Sequence, residues 1–150
     1  MSGQTQKLKT VAVLQRLRKL QQTQAAHALS IATTERRNAD DALAQAKSRN
    51  ASLVDRQKRM RDQGQAIDPG LYEYLLAASI EANARVEQCI TDRELAEHRV
   101  KEKRAAFAKR TAQHDVVTSL RDELTRSLEK WRESAEVSDR SDQYSRSRRS

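Results

Sequence analysis

Cys89, His27, His98 and His114 are the side chains best able to ligate a metal or to act as nucleophile and base, and their spacing denies them both roles. His98 and His114 share one predicted helical arm, but sixteen residues at ~1.5 Å rise put them roughly 24 Å apart. Cys89 is the only cysteine, so no internal disulfide forms, and a reducing cytosol is its simplest home. The chain has no Gly-rich phosphate loop, no HExxH and no CxxC. Its carboxylates are numerous, yet many stand four residues before a base, as in Asp55/Arg59, Glu81/Arg85, Glu97/Lys101 and Asp122/Arg126. Such pairs brace an exposed helix face by ~0.2–0.5 kcal/mol each. They do not make the dry cleft that shifts a catalytic pKa. These residues predict a non-enzyme with no catalytic residues, no cofactor, no metal and no small-molecule substrate.

The chemistry that remains is adhesion through charge and apolar surface. Net charge is +8 and the pI about 10.0, which favours anionic partners. Bases cluster early at Lys7, Lys9, Arg16, Arg18 and Lys19, ahead of the first acid, Glu35. A second cluster includes Lys103, Arg104, Lys109 and Arg110. An acid-poor basic start is shared with organelle transit peptides, but the plainer reading is one basic helix end. No stretch approaches the ~20 apolar residues of a membrane span.

Two helices must position these groups. Neither Pro nor Gly occurs between Lys7 and Arg61, or again from Leu71 to the last residue. The breakers gather at Gly64, Asp68, Pro69 and Gly70. Hydrophobic residues are 37% of the chain and aromatics only 3%, too little for a globular core, while charged residues reach 33% and the remainder suits long helices. Intrinsic disorder is the competing reading, since charge is high and hydropathy low. The pattern predicts an all-α fold: a long antiparallel two-helix coiled-coil hairpin over residues 1–137. Arm one covers about 7–61 after a loose lead-in, the turn about 62–70, and arm two about 69–137. Residues 138–150, rich in Ser and Arg, read as a disordered basic tail.

Along arm one, Ala25, Leu29, Ala32, Arg36, Ala39, Leu43, Ala46, Asn50 and Leu53 alternate steps of four and three, the a/d rhythm of a coiled coil. Arg36 and Asn50 on this seam cost stability and set register. At the turn, Gly64 suits the left-handed end of arm one. Asp68 caps arm two with Pro69 in its first turn, and Ile67 is placed to staple against Tyr72. Arm two is expected to pack through Leu75, Leu76, Ile80, Val86, Ile90, Val100, Phe107, Val117, Leu120, Leu124, Leu128 and Trp131. Folding at the turn places Leu8, Val11, Val13, Leu14, Leu17 and Leu20 opposite Val116, Val117, Leu120, Leu124 and Leu128. In arm one these apolar residues point several ways around the helix, more than one seam can bury, and the excess calls for a partner.

The basic opening from Leu8 to Leu20, the turn followed by Tyr72-Glu-Tyr74, and the run from Val100 to Arg110 together resemble the FliJ/YscO-like stalk proteins of bacterial flagellar and type III secretion export. The resemblance rests on architecture and composition across nearly the whole chain. It implies a central stalk whose open hairpin end enters a hexameric export ATPase and links it to the membrane export gate protein, and which can bind secretion chaperones. It places the protein in the cytoplasm, peripheral to the inner membrane through the secretion apparatus. By this resemblance the ring contact falls to Leu14, Leu17, Leu20, Leu120, Leu124, Leu128 and Trp131. The basic flank is Lys7, Lys9, Arg16, Arg18, Lys19, Lys103, Arg104, Lys109 and Arg110.

Two other classes compete. A basic coiled-coil arm could grip an RNA backbone, although the scarcity of stacking aromatics argues against sequence-specific single-strand binding, and nucleic acid is the less favoured partner. A structural coiled coil could instead dimerise into a four-helix bundle. On the stalk reading, replacing Leu17 and Leu124 by Asp is expected to abolish binding to the ATPase ring while circular dichroism still reports helix.

Overall fold

The computed structural model describes residues 2–63 and 68–149. Among them every residue except Gln63 and Asp68 is helical. Helix α1 spans Ser2–Asp62 and helix α2 spans Pro69–Arg149, an all-α two-helix hairpin. From Ser2 onward, the expected lead-in before Lys7 is therefore already part of α1. The expectations for Gly64 and Ile67 fall outside the described residues.

The start of α2 follows from its first residues. Gly70 N–H donates to the Asp68 carboxylate at 3.1 Å, and Tyr72 N–H closes the first turn onto the Asp68 carbonyl at 3.0 Å. Asp68 is thus the N-cap, and Pro69 stands at the first helical position, where its missing N–H costs nothing.

The residues fall into two compact units, a turn unit of His27–Ala105 and a terminal unit of Met1–Ala26 with Ala106–Ser150. In the turn unit, Asp40 meets Arg93 at 2.6 Å, and Gln57 donates to the Leu75 carbonyl at 3.2 Å and to the Ser79 hydroxyl at 2.7 Å. Advance along α1 is retreat along α2, so the pairing is antiparallel. On α1 the seam is the one read from the sequence: Ala32, Leu43 and Ala46 are buried, and Leu29, Arg36, Ala39, Asn50 and Leu53 are half-buried. The Asn50 side-chain carbonyl is buried without a hydrogen-bond partner. A polar group left so on a seam weakens the pair where it stands.

On α2 the seam includes the expected Leu75, Val86 and Val100 but differs at Leu76, Ile80 and Ile90. Leu75, Ala82, Cys89 and Ala96 recur every seven residues and are buried, with Val86 half-buried and Val100 at 1% exposure. Leu43, Ala46 and Cys89 form one core cluster, with Ala42 and Val86 packed against it. Leu76, Ile80 and Ile90 lie outside. Each is rotated by roughly 100–140° from a seam residue, at about 100° per residue. The strict heptad wins over side-chain size, because a two-helix pair keeps contact only along an unbroken a/d line. Small residues on both helices then let the backbones approach.

In the terminal unit, Gln15 donates to Thr118 at 3.1 Å and Gln22 to Thr111 at 3.0 Å, one heptad apart on each helix and again antiparallel. Val11, Val117 and Leu128 are buried, and Leu8, Leu14, Phe107 and Leu124 are half-buried. This register sets the first residues of α1 opposite Trp131, so α2 runs on beyond the end of its partner. Residues 138–149, expected to be disordered, are helical and exposed. Within this overhang the Ser147 hydroxyl donates to the Tyr144 carbonyl at 2.9 Å, and the Arg148 guanidinium lies 5.3 Å from the centre of the Tyr144 ring.

The seam assignment makes a direct prediction. Val100→Ala should lower unfolding free energy by about 1–3 kcal/mol, since it empties a filled site. Ile80→Ala, at a side chain 64% exposed, should change it by less than about 0.5 kcal/mol. Urea titration of both variants checks the contrast.

Candidate docking interface in the terminal unit

Charge is divided unevenly. The terminal unit contains fifteen Lys and Arg against eight Asp and Glu, whereas the turn unit contains fourteen against thirteen. The terminal unit therefore holds +7 of the net +8.

Its apolar residues are divided too. Leu128 is buried in the seam, and Leu14 and Leu124 are half-buried beside it. By contrast Leu17 is 48% exposed, Leu20 55%, Leu120 42% and Trp131 46%. The seven expected contact residues thus separate into seam and surface, and Leu128 in particular serves the helix pair itself. Val13 and Val116, absent from that set, are more exposed still.

The surface residues share a side. Turning about 100° per residue from the seam, Leu14 and Leu17 on α1 and Val116 and Leu120 on α2 project from one broad side of the pair. Val13 and Leu20 continue the patch round the back of α1. The opposite broad side is polar and closed by the Gln15–Thr118 and Gln22–Thr111 bonds.

The basic flank separates in the same way. Lys7, Lys9, Arg16, Lys19 and Lys109 are exposed on the terminal unit, and Lys103 and Arg104 are exposed on the turn unit. Arg18 and Arg110 are not a solvated flank. Both are half-buried and meet across the seam. One nitrogen of Arg18 (Nη1) donates to the side-chain oxygens of Gln21 at 3.0 Å and Gln113 at 3.3 Å. The corresponding nitrogen of Arg110 donates to the same two oxygens, at 3.3 and 3.1 Å. Two guanidinium groups and two amide oxygens thus form a closed four-membered clasp. None of the ion pairs found among the described residues includes Arg18 or Arg110. The Arg18 Nε is buried with no hydrogen-bond partner. Two like charges that share the same two acceptors repel one another, by an amount that solvent screening reduces. The glutamine oxygens offset part of that repulsion by dipole alone.

A groove of about 280 Å³ joins the two features, lined by Arg18, Ala112, Gln113, Val116 and Val117. Beyond Val116 and Leu120, Asp115 and Glu123 line the outer edge of α2. The arrangement is suited to holding a surface of another molecule, apolar in the middle and anionic toward the clasp. The clasp was within reach of the sequence. Extending the heptad of Ala25 backward reaches Gln22, Arg18 and Gln15, polar residues on seam positions.

No protein-family model, no curated protein and no solved structure matches the chain. No helix among the described residues is long and apolar enough to cross a membrane.

The clasp lacks a carboxylate, so supplying one should strengthen the pair. Gln113→Glu is expected to raise unfolding free energy by about 0.5–1.5 kcal/mol at neutral pH. The gain should shrink in about 1 M salt, where the Debye length falls to ~3 Å. A lower urea midpoint for the variant would contradict this description of the clasp.

Proposed function

We propose that the protein is the central stalk of a bacterial type III or flagellar-like protein export apparatus, docking its terminal unit inside a hexameric export ATPase. One observation carries the reading: a single unit combines the apolar broad face around Leu17, Val116 and Leu120 with nearly all of the chain's net positive charge. A two-helix pair can bury one stripe per helix, and this unit exposes a second. Basic residues around that stripe steer it toward an acidic sleeve and speed its capture. The resemblance of the Leu8–Leu20 and Val100–Arg110 segments to the FliJ/YscO-like family supplies the identity of the sleeve. On this reading the other partners are the membrane export gate protein and secretion chaperones. The stalk is then cytoplasmic and peripheral to the inner membrane through the apparatus.

Leu124 is half-buried, so changing it would loosen the helix pair as well as any docking surface. Leu17 and Leu120 are the cleaner sites. Leu17→Asp combined with Leu120→Asp should cut affinity for the purified export ATPase by about a hundredfold or more, the loss expected of two interface anchors. The helical circular dichroism and urea midpoint should stay near wild type. Undiminished ATPase binding and normal secretion by the double variant would refute the proposal.

A further inference from the structure

The terminal unit leaves unexplained a pair of seam guanidiniums with no acid between them. Arg18 and Arg110 share the oxygens of Gln21 and Gln113, and the Arg18 Nε stays buried and unpartnered. An amide oxygen is a weaker acceptor for guanidinium than a carboxylate, and a guanidinium fork is shaped to hold a carboxylate through two nitrogens. The groove beside the clasp opens directly onto Val116, so an acid arriving there would bring its own chain across the apolar face.

We infer that this groove receives an amphipathic helix of another protein, with apolar side chains laid on Leu17, Val116 and Leu120 and an Asp or Glu carboxylate seated on Arg18 and Arg110. A second copy of this chain fits poorly, because each terminal unit brings a net charge of +7. The acid belongs on the clasp side of the incoming helix. Its other flank faces Asp115 and Glu123, where a further acid would be repelled. The groove therefore sets both the charge and the orientation of its ligand, as in other helix-in-groove recognition. This inference rests on the reading of the terminal unit as a docking surface, and it specifies the chemistry of the docked segment whatever protein provides it.

The test uses the full chain and a synthetic helix-forming peptide with Leu at heptad positions a and d, Glu along one flank and Gln along the other. A control peptide has Lys in place of Glu. Fluorescence anisotropy at about 100 mM salt, where the Debye length is ~10 Å, should show the Glu peptide binding at least about tenfold more tightly than the Lys peptide. Arg18→Gln and Arg110→Gln should each weaken the Glu peptide by about tenfold. Gln113→Glu, which fills the clasp from within while strengthening the fold, should weaken it comparably and so separates loss of the site from loss of structure. Val116→Ser should weaken both peptides. Failure of the Glu peptide to bind, equal binding of the two peptides, or indifference to Arg18, Arg110 and Gln113 would overturn the inference. Repeating the series with the export ATPase separates the two claims. Tight ATPase binding untouched by Arg18→Gln and Arg110→Gln would sink the clasp and spare the stalk, whereas clasp-dependent peptide binding with no affinity for the ATPase would do the reverse.

Discussion

A pair of helices with only each other for company can bury one stripe apiece, and the rest of this structure follows from that limit. Each unit answers it differently. The turn unit fills the stripe with Leu75, Ala82, Cys89 and Ala96 against Ala32, Leu43 and Ala46, small residues that trade buried area for close approach. The large apolar side chains left over include Leu76 and Ile80, which follow Tyr72 at steps of four and share one exposed helix face with it, and Ile90. That unit carries a net charge of only +1, so its exposed stripe lacks a flank of strong net charge. In the terminal unit, Val11, Val117 and Leu128 take the seam, and the leftover residues gather on one broad side. What sets this unit apart is that its gathered apolar exposure coincides with a net charge of +7.

Polar residues on the seam make the same division. In the turn unit the cross-helix contact of Arg93 is with Asp40, an ordinary ion pair. In the terminal unit Arg18 and Arg110 face each other through neutral amides. A pair of helices stabilised only from within would gain from an acid at position 21 or 113. Glutamine there keeps the positive charge uncompensated at the edge of the apolar side, so the terminal unit gives up some stability of its own helix pair at that place.

Much of the fold was legible in the sequence. Ala25 through Leu53 displayed the heptad because its small residues alternate in steps of four and three without interruption, and Asp68-Pro69 announced the start of α2 through capping chemistry that needs no tertiary context. Arm two was harder. Leu75, Val86 and Val100 are legible as seam residues, but Leu76, Ile80 and Ile90 are larger than Ser79, Ala82 and Cys89, and their size masks the heptad that continues through the small residues. Residues 138–149 have no apolar stripe, and they continue α2 as an exposed helix in which Arg148 lies over Tyr144. The candidate site was half legible. Surplus apolar residues near Leu17 and Leu120 were visible, but Arg18 and Arg110 looked like two more solvated bases until the register brought them together with Gln21 and Gln113.

Oxidative side-chain footprinting of the full chain, alone and with the purified export ATPase, tests the central claim most directly. The turn unit supplies its own controls, since Tyr74 and Ile80 are exposed at least as fully as Leu17, Leu120 and Trp131. The account predicts that oxidation of Leu17, Leu120 and Trp131 falls sharply on binding while Tyr74 and Ile80 react as before. Protection confined to Tyr74 and Ile80, with Leu17 and Leu120 still reactive in the complex, would contradict it.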